Sequence, residues 1–379
     1  MGRVNKTMAL LQQVSLFVSG VGGYIRYRIP ALVISQRGTI LAFCEARQHT
    51  GRASDQIDLL LRRSDDGGRT FAPLQIVAHE EGWVCGNPAP VLDRDTGTIW
   101  LLFCKNRKED RERHIVRGGL PRTVWATHSQ DDGATWAEPV EITAAVKRPE
   151  WAWYATGPGH GIQLQSGRLL IPCDHSLTSP DEEADAPYFA HVIYSDDHGH
   201  TWALGGSTVE GANESTAVET VDGRVYLNSR NALSSLLERS GGSRSEDQPY
   251  FRAYAWSSDG GNTFSIVRPD RALPEPICQA SVCRLTDERR HDRNRVLFVN
   301  PASRKRENLT IRLSYDECRT WPVSRTLFPG KAGYSDLCVT EDLTVGCLYE
   351  EGADNAFETL TFTRFNLNWL TGNNSEQET

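Results

Sequence analysis

Long apolar runs are missing from this chain. No stretch approaches 18 apolar residues, so no membrane-spanning helix is expected. The opening Met8-Ala9-Leu10-Leu11 is broken at once by Gln12-Gln13, too soon for a signal peptide, and without a leader the chain reads as cytoplasmic. Positive charge is in deficit. With 41 Lys and Arg against 49 Asp and Glu the net charge is −8, which argues against nucleic acid or an anionic membrane as the main partner. Cysteine is sparse and unpatterned: nine residues, at 44, 85, 104, 173, 278, 283, 318, 338 and 347. No spacing among them suggests a metal site, and no metal or cofactor is expected. Most lie in strand-like runs such as Leu41-Ala42-Phe43-Cys44, where a reduced thiol behaves as a small buried hydrophobe. Helical periodicity is nearly absent, which excludes a parallel barrel with a helix after each strand.

What the chain does have is a short pattern that returns five times. It reads Ser64-Asp65-Asp66-Gly67-Gly68-Arg69-Thr70-Phe71, and its later copies begin at Ser129, Ser195, Ser257 and Ser314, giving spacings of 65, 66, 62 and 57 residues. The shared frame is S-x-D-x-G-x-T-W/F, degraded in the fifth copy, where Cys318 stands in the glycine's place. Asp can bond its own backbone and Gly can take a positive φ, so each copy has the chemistry of a tight turn. A calcium loop is the sharper alternative, but the further acidic ligands and the closing Glu are missing.

Between the turns the chain runs strand after strand, about four short strands in about 60 residues. Ala31-Leu32-Val33-Ile34, a Gln36-Arg37-Gly38 turn and Thr39-Ile40-Leu41-Ala42-Phe43 form the first hairpin. A last cycle, from Cys338 to Phe365, carries no turn motif. Radial repetition of four-stranded sheets fits this best. The expected fold is all-β, a six-bladed β-propeller of four-stranded antiparallel blades, its ring closed by pairing a strand from around residues 12 to 19 with the last cycle. No linker divides the chain, so residues 1–379 read as one domain, with 1–20 a lead-in and 370–379 a flexible tail.

A propeller collects its site from many blades. Arg28, Arg230 and Arg306 each stand at a strand boundary in a different cycle. Three guanidiniums converging near an axis would repel one another unless they met an anion, and together they make a rigid clamp for a carboxylate. Asp55, in the polar loop Gly51 to Gln56, and Glu214, at a strand entry, are the acid and base candidates; Asp58 and Glu219 are their weaker neighbours. Tyr334, in Gly333-Tyr334-Ser335-Asp336-Leu337, reads on its own as a packed aromatic.

These residues carry a resemblance. Tyr27-Arg28-Ile29-Pro30, the repeated turns (Asp boxes), the stretch from Asn213 to Arg230, Asn300-Pro301 with Arg306, and Tyr334-Ser335-Asp336-Leu337 resemble the non-viral exo-alpha-sialidases (neuraminidases) over nearly the whole chain. The resemblance implies that Arg28, Arg230 and Arg306 hold a sialic acid carboxylate. It further implies that Tyr334 is the nucleophile, Glu214 its paired base and Asp55 the acid/base catalyst, with Asp58 as the alternative. Arg47 corresponds to a site arginine near the carboxylate and C4 region, with Glu45 steadying it and Glu350 bracing Arg28. The implied activity is retaining hydrolysis of terminal sialic acid from glycoprotein, oligosaccharide or ganglioside, without a cofactor. A non-catalytic glycan-binding propeller, a trans-sialidase and preference for a related ulosonic acid such as KDN stay open, as does the oligomeric state. Sequons at Asn5, Asn213, Asn308 and Asn373 are taken as chance matches, since two of them fall in the implied site.

Overall fold

Strand formers dominate the sequence, and the computed structural model, which describes residues 8–48, 56–120, 122–179, 186–233 and 250–372, is built from four sheets. The first runs Arg26–Ile34, Ile40–Arg47, Ile57–Ser64 with Gln75–Ala78, then Trp83–Leu92, Ile99–Arg107, Thr123–Ser129 and Val140–Glu141. A single parallel bridge, Ile57 to Val84, joins its two halves. The second holds Trp151–Thr156, Ile162–Gln163, Leu169–Leu177, Tyr188–Ser195 and Ala203–Ser207. The third holds Ala212–Glu219, Val225–Asn231, Phe251–Ser257 and Arg268–Pro274. The fourth contains Ser281–Thr286, Arg295–Pro301, Glu307–Ser314, the long strand Val323–Val339, Val345–Gly352 and Thr359–Phe365, and takes in Leu11–Val18 at its far edge. That early strand lies antiparallel to the last one, Leu11 opposite Phe365 and Val14 opposite Phe362. No helix of the described residues is long and apolar enough to cross a membrane.

Alternation decides where each strand buries its side chains. Every residue from Ile40 to Ala46 is buried. Ile40, Ala42, Cys44 and Ala46 pack with Leu348 and Phe362 of the last sheet, whereas Leu41 and Phe43 pack with Leu101 and Phe103 of the following strands. The same division recurs along the chain, so the core consists of apolar interfaces between successive groups of strands. Eight of the nine cysteines are buried in it, and all nine are free thiols.

The five repeated turns share one hydrogen-bond set. The serine hydroxyl donates to the aspartate, and the residue four places after the serine donates its N–H to the serine Oγ: Gly68, Gly133, Gly199 and Gly261 at 2.8–2.9 Å and Cys318 at 3.0 Å. The threonine hydroxyl closes each turn onto the aspartate Oδ2 at 2.6–2.7 Å. Glycine is demanded here for close approach as well as for φ. A Cβ on Gly199, φ +90°, would stand 2.1 Å from Trp100, and one on Gly133 2.4 Å from Leu41. Cys318 holds φ +67° and buries its side chain in the apolar cluster that contains Val218 and Tyr226. Its hydrogen bonds match those of the other copies, so the departure from glycine is absorbed as backbone strain of about 1–3 kcal/mol.

The described residues close on a short helix. Residues Leu367–Thr371 form a helix capped by Asn366, whose Oδ1 accepts from Trp369 N at 3.0 Å, and Leu370 is buried. Trp369 and Leu370 pack into the last sheet's core.

Candidate active site

The strand Arg26–Ile34 carries the first site residue on a distorted backbone. Ile29 has φ +58°, a genuine outlier for a β-branched residue. Its N–H donates to Glu350 Oε1 at 3.1 Å, and Arg28 grips the same carboxylate through Nε at 2.9 Å and Nη2 at 3.1 Å. Glu350 Oε2 also accepts the N–H of Tyr334 at 2.9 Å. One buried carboxylate thus ties the Arg28 strand to the Tyr334 strand. Gly333 makes room for it: a Cβ there would lie 2.2 Å from Glu350 Oε2. Burial opposes the charge on Arg28, but Glu350 outweighs it and holds the guanidinium protonated.

Tyr334 sits at the focus of the cluster. Its hydroxyl donates to Glu214 Oε1 at 2.5 Å, and Arg230 Nη1 lies 3.2 Å from that hydroxyl and 3.1 Å from Glu214 Oε2. The Arg28 and Arg306 guanidiniums stand over the Tyr334 ring, at 5.1 and 5.4 Å from its centroid. Burial, then the Glu214 carboxylate, push the Tyr334 hydroxyl well above the usual phenol range against the pull of Arg230 and Arg28. The group is a neutral phenol at neutral pH, hydrogen-bonded to a base.

The three arginines therefore surround Tyr334. Two are paired with carboxylates, whereas among the described residues Arg306 has no ion-pair partner and donates only to Ile277 O, at 3.3 Å. Three guanidiniums against Glu214 and Glu350 leave one positive charge for an incoming anion. Arg47 pairs with Glu45 at 2.6 Å, and Glu45 Oε1 accepts the N–H of Asn87 at 2.9 Å. Glu45 stands directly across the ladder from Arg28, so this second pair adjoins the first.

The carboxylate alternatives separate by their partners. Asp55 lies outside the described residues. Asp58 is buried and bonded to Tyr24 OH at 2.6 Å, His79 Nδ1 at 2.8 Å and Gln56 Nε2 at 3.1 Å. Glu219 accepts the N–H of Gln165 at 2.8 Å in a neighbouring turn. Sequence reasoning missed two neighbours of the cluster. Phe357 stacks 4.1 Å from Arg28 Cζ, and no pattern in its loop marks it. Asp174 is buried, and among the described residues neither of its oxygens has a hydrogen-bond partner; burial and the Glu214 charge hold its carboxyl well above the usual range. A charge inside the buried run Leu169–Ser176 was the readable signal. Asp93, Asp95 and His198 lie close enough together to hold a cation, but Asp93 is already bonded to Thr96, Gln163 and His198.

Comparison with known proteins places this geometry in context. The family described as "BNR repeat-like domain" matches residues 38–348. The chain is similar to the "Sialidase" of Micromonospora viridifaciens, 34% identical over 96% of this chain and 55% of that protein, so it spans little more than half of that relative. It is 31% identical to the "Exo-alpha-sialidase" of Aspergillus fumigatus, over 92% of this chain and 86% of that one. It is 32% identical to "Sialidase-3" of Homo sapiens, over 90% and 89%. Among solved structures, the "Hadza microbial sialidase Hz136" superposes with a TM-score of 0.80 at 28% identity, covering 93% of this chain and 68% of that one.

Proposed function

The chain belongs to the non-viral exo-alpha-sialidase family of glycoside hydrolases, and on that premise we propose that it is a retaining exo-sialidase that releases terminal sialic acid through a tyrosine-linked intermediate. The observation that carries this is the Tyr334 hydroxyl held between Glu214 and Arg230.

The substrate's chemistry explains the set. Sialic acid bears a carboxylate on its anomeric carbon. A carboxylate nucleophile would meet that charge at a cost of a few kcal/mol, on the order of Coulomb repulsion at contact near a protein surface. A phenol approaches neutral, which is why tyrosine sialidases depart from the two-carboxylate scheme. Arg28, Arg230 and Arg306 fix the substrate carboxylate and with it the ring. As the Tyr334 oxygen bonds to the anomeric carbon, its proton passes to Glu214. The glycosidic C–O bond breaks, and Asp55 gives its proton to the departing oxygen. Water then attacks the same carbon, Asp55 takes its proton, and the tyrosine oxygen leaves with the proton held on Glu214. Two displacements return the original anomeric configuration.

The same reading gives the sheets a single plan. Each of the large sheets divides into four-stranded units, and the long strand Val323–Val339 serves two of them. Six apolar clusters lie between successive units, the last between the final unit and Ile40 to Ala46. This supports a six-bladed ring with the Asp-box turns on its blades. Residues 1–379 form one catalytic domain whose partners are sialylated glycans. Proton NMR of an alpha-2,3-sialyllactose digest tests the function: the first free sialic acid to appear is the alpha anomer. Release of the beta anomer first, or no release, refutes the proposal.

A further inference from the structure

A second buried carboxylate lies two residues beyond the nucleophile and belongs to none of the roles above. Asp336 is fully buried on the strand Val323–Val339. Its Oδ1 accepts from His160 Nδ1 at 2.8 Å and from Ser281 Oγ at 2.7 Å, and its Oδ2 accepts the N–H of Leu32 at 2.7 Å. Three other strands or loops, from three other parts of the chain, therefore converge on one side chain. Ser281 Oγ in turn accepts the N–H of Leu337 at 3.2 Å, so the knot is closed locally. Around it Gln279 bridges Ser335 in both directions, accepting its N–H at 2.9 Å and donating to its carbonyl at 3.0 Å. Gly159 passes so close that a Cβ there would lie 3.3 Å from Asp336 Oδ1.

The position of this knot bears on the chemistry. The strained Ile29 lies between two backbone N–H groups that both donate to buried carboxylates, its own to Glu350 and that of Leu32 to Asp336. The Arg28 and Tyr334 strands belong to different sheets, and each slips against its own partner strand, between Arg28 and Ala31 in one ladder and between Ala332 and Ser335 in the other. Regular pairing therefore does not set the height of Arg28 against Tyr334. We propose that Asp336, hydrogen-bonded to His160, is a positioning residue for the reaction: it fixes the Arg28 strand against the Tyr334 strand and so sets the substrate carboxylate clamp relative to the nucleophile. The Asp336 side chain is fully buried and acts through the strands it joins. A buried His–Asp pair is weak evidence of a gain in stability, since desolvation offsets attraction, and three convergent hydrogen bonds on strands bearing reactive groups point to geometry as its use.

The inference rests on the exo-sialidase reading, and its test keeps the two apart. Three full-length variants, Ser281→Ala, His160→Ala and His160→Gln, are compared with the parent chain for kcat and KM on an aryl alpha-sialoside at 20 °C, alongside thermal melts. A misplacement of about 1 Å costs about 10²-fold, so His160→Ala should lose kcat on that order and raise KM. His160→Gln, whose amide can still donate to Asp336, should recover most of the loss. Ser281→Ala, a small change that leaves the His160 hydrogen bond, should fold and still lower kcat by several-fold. A parent chain that melts cooperatively but releases no sialic acid refutes the exo-sialidase reading itself. An active parent with kcat unchanged in Ser281→Ala or His160→Ala overturns the positioning role, as does a His160→Gln variant no better than the alanine. If His160→Ala does not fold, Ser281→Ala decides the matter alone.

Discussion

Replacing Glu214 by Gln isolates the base from everything else it does. The amide keeps the shape and an acceptor for the Tyr334 hydroxyl, now 2.5 Å from Glu214 Oε1, but cannot take its proton. General-base catalysis contributes about 10²–10⁴-fold, equivalent to about 2.7–5.5 kcal/mol of barrier. The structure argues for the upper part of that range, because burial already pushes the phenol well above its usual value and leaves almost no phenolate at neutral pH. KM should change little, since Arg230 loses its carboxylate partner at 3.1 Å and is freed to meet the substrate anion. The pH profile carries the sharper signature. Glu214 is one of the groups that raise the Tyr334 pKa and Arg230 one that lowers it, so in the variant the phenol becomes more acidic. Turnover of an aryl sialoside should therefore climb with pH between 7 and 9 in Glu214→Gln while the parent enzyme lacks that slope. A variant that keeps more than about a tenth of the parent kcat, outside the range for a lost base, with a flat alkaline profile, refutes the role of Glu214 and the activation of Tyr334 together.

Three further outcomes follow from the structure. Asp55→Ala should slow sialyllactose far more than an aryl sialoside, because only the poor leaving group needs a proton; equal losses in kcat/KM would count against a general acid. His175 and His191 share a 3.0 Å contact between their Nδ1 atoms under Trp151, and burial lowers the pKa of both, His175 to about 3. The unfolded chain binds protons at these residues below about pH 6.5 while the native one does not, so stability present above that pH should fall by about 1.4 kcal/mol per histidine per pH unit; urea melts at pH 6 and pH 5 that give equal stability would contradict this. Gly199→Ala places a Cβ 2.1 Å from Trp100 at φ +90°, and overpacking of about 1–3 kcal/mol should lower Tm while kcat of the remaining folded enzyme is unchanged; an unshifted melt would show that the turn can move.

Local features were legible in the sequence and distant pairings were not. The turns could be read because serine, aspartate, glycine and threonine bond one another within four residues. The strands could be read because alternation is a short-range signal. Arg28 and Glu350 meet across 322 positions, and only resemblance brought them together beforehand. Asp58 shows why residue type alone does not settle a role: it matches an acid/base candidate in chemistry and place, yet three side chains already contact its carboxylate. Cys318 shows the converse. The pattern fails there, but the fold supplies the apolar cluster that contains Tyr226 and the turn survives, so a broken local rule was answered by tertiary packing. Asp336 was in plain view inside a quoted motif, and its partners at 32, 160 and 281 carry no shared spacing. A residue that organises a site through other strands leaves no periodic trace, because what it conserves is a distance in space. The test of such a residue must therefore be geometric as well: its loss should shift kcat and KM together, whereas loss of an ordinary core contact shifts the melting temperature first.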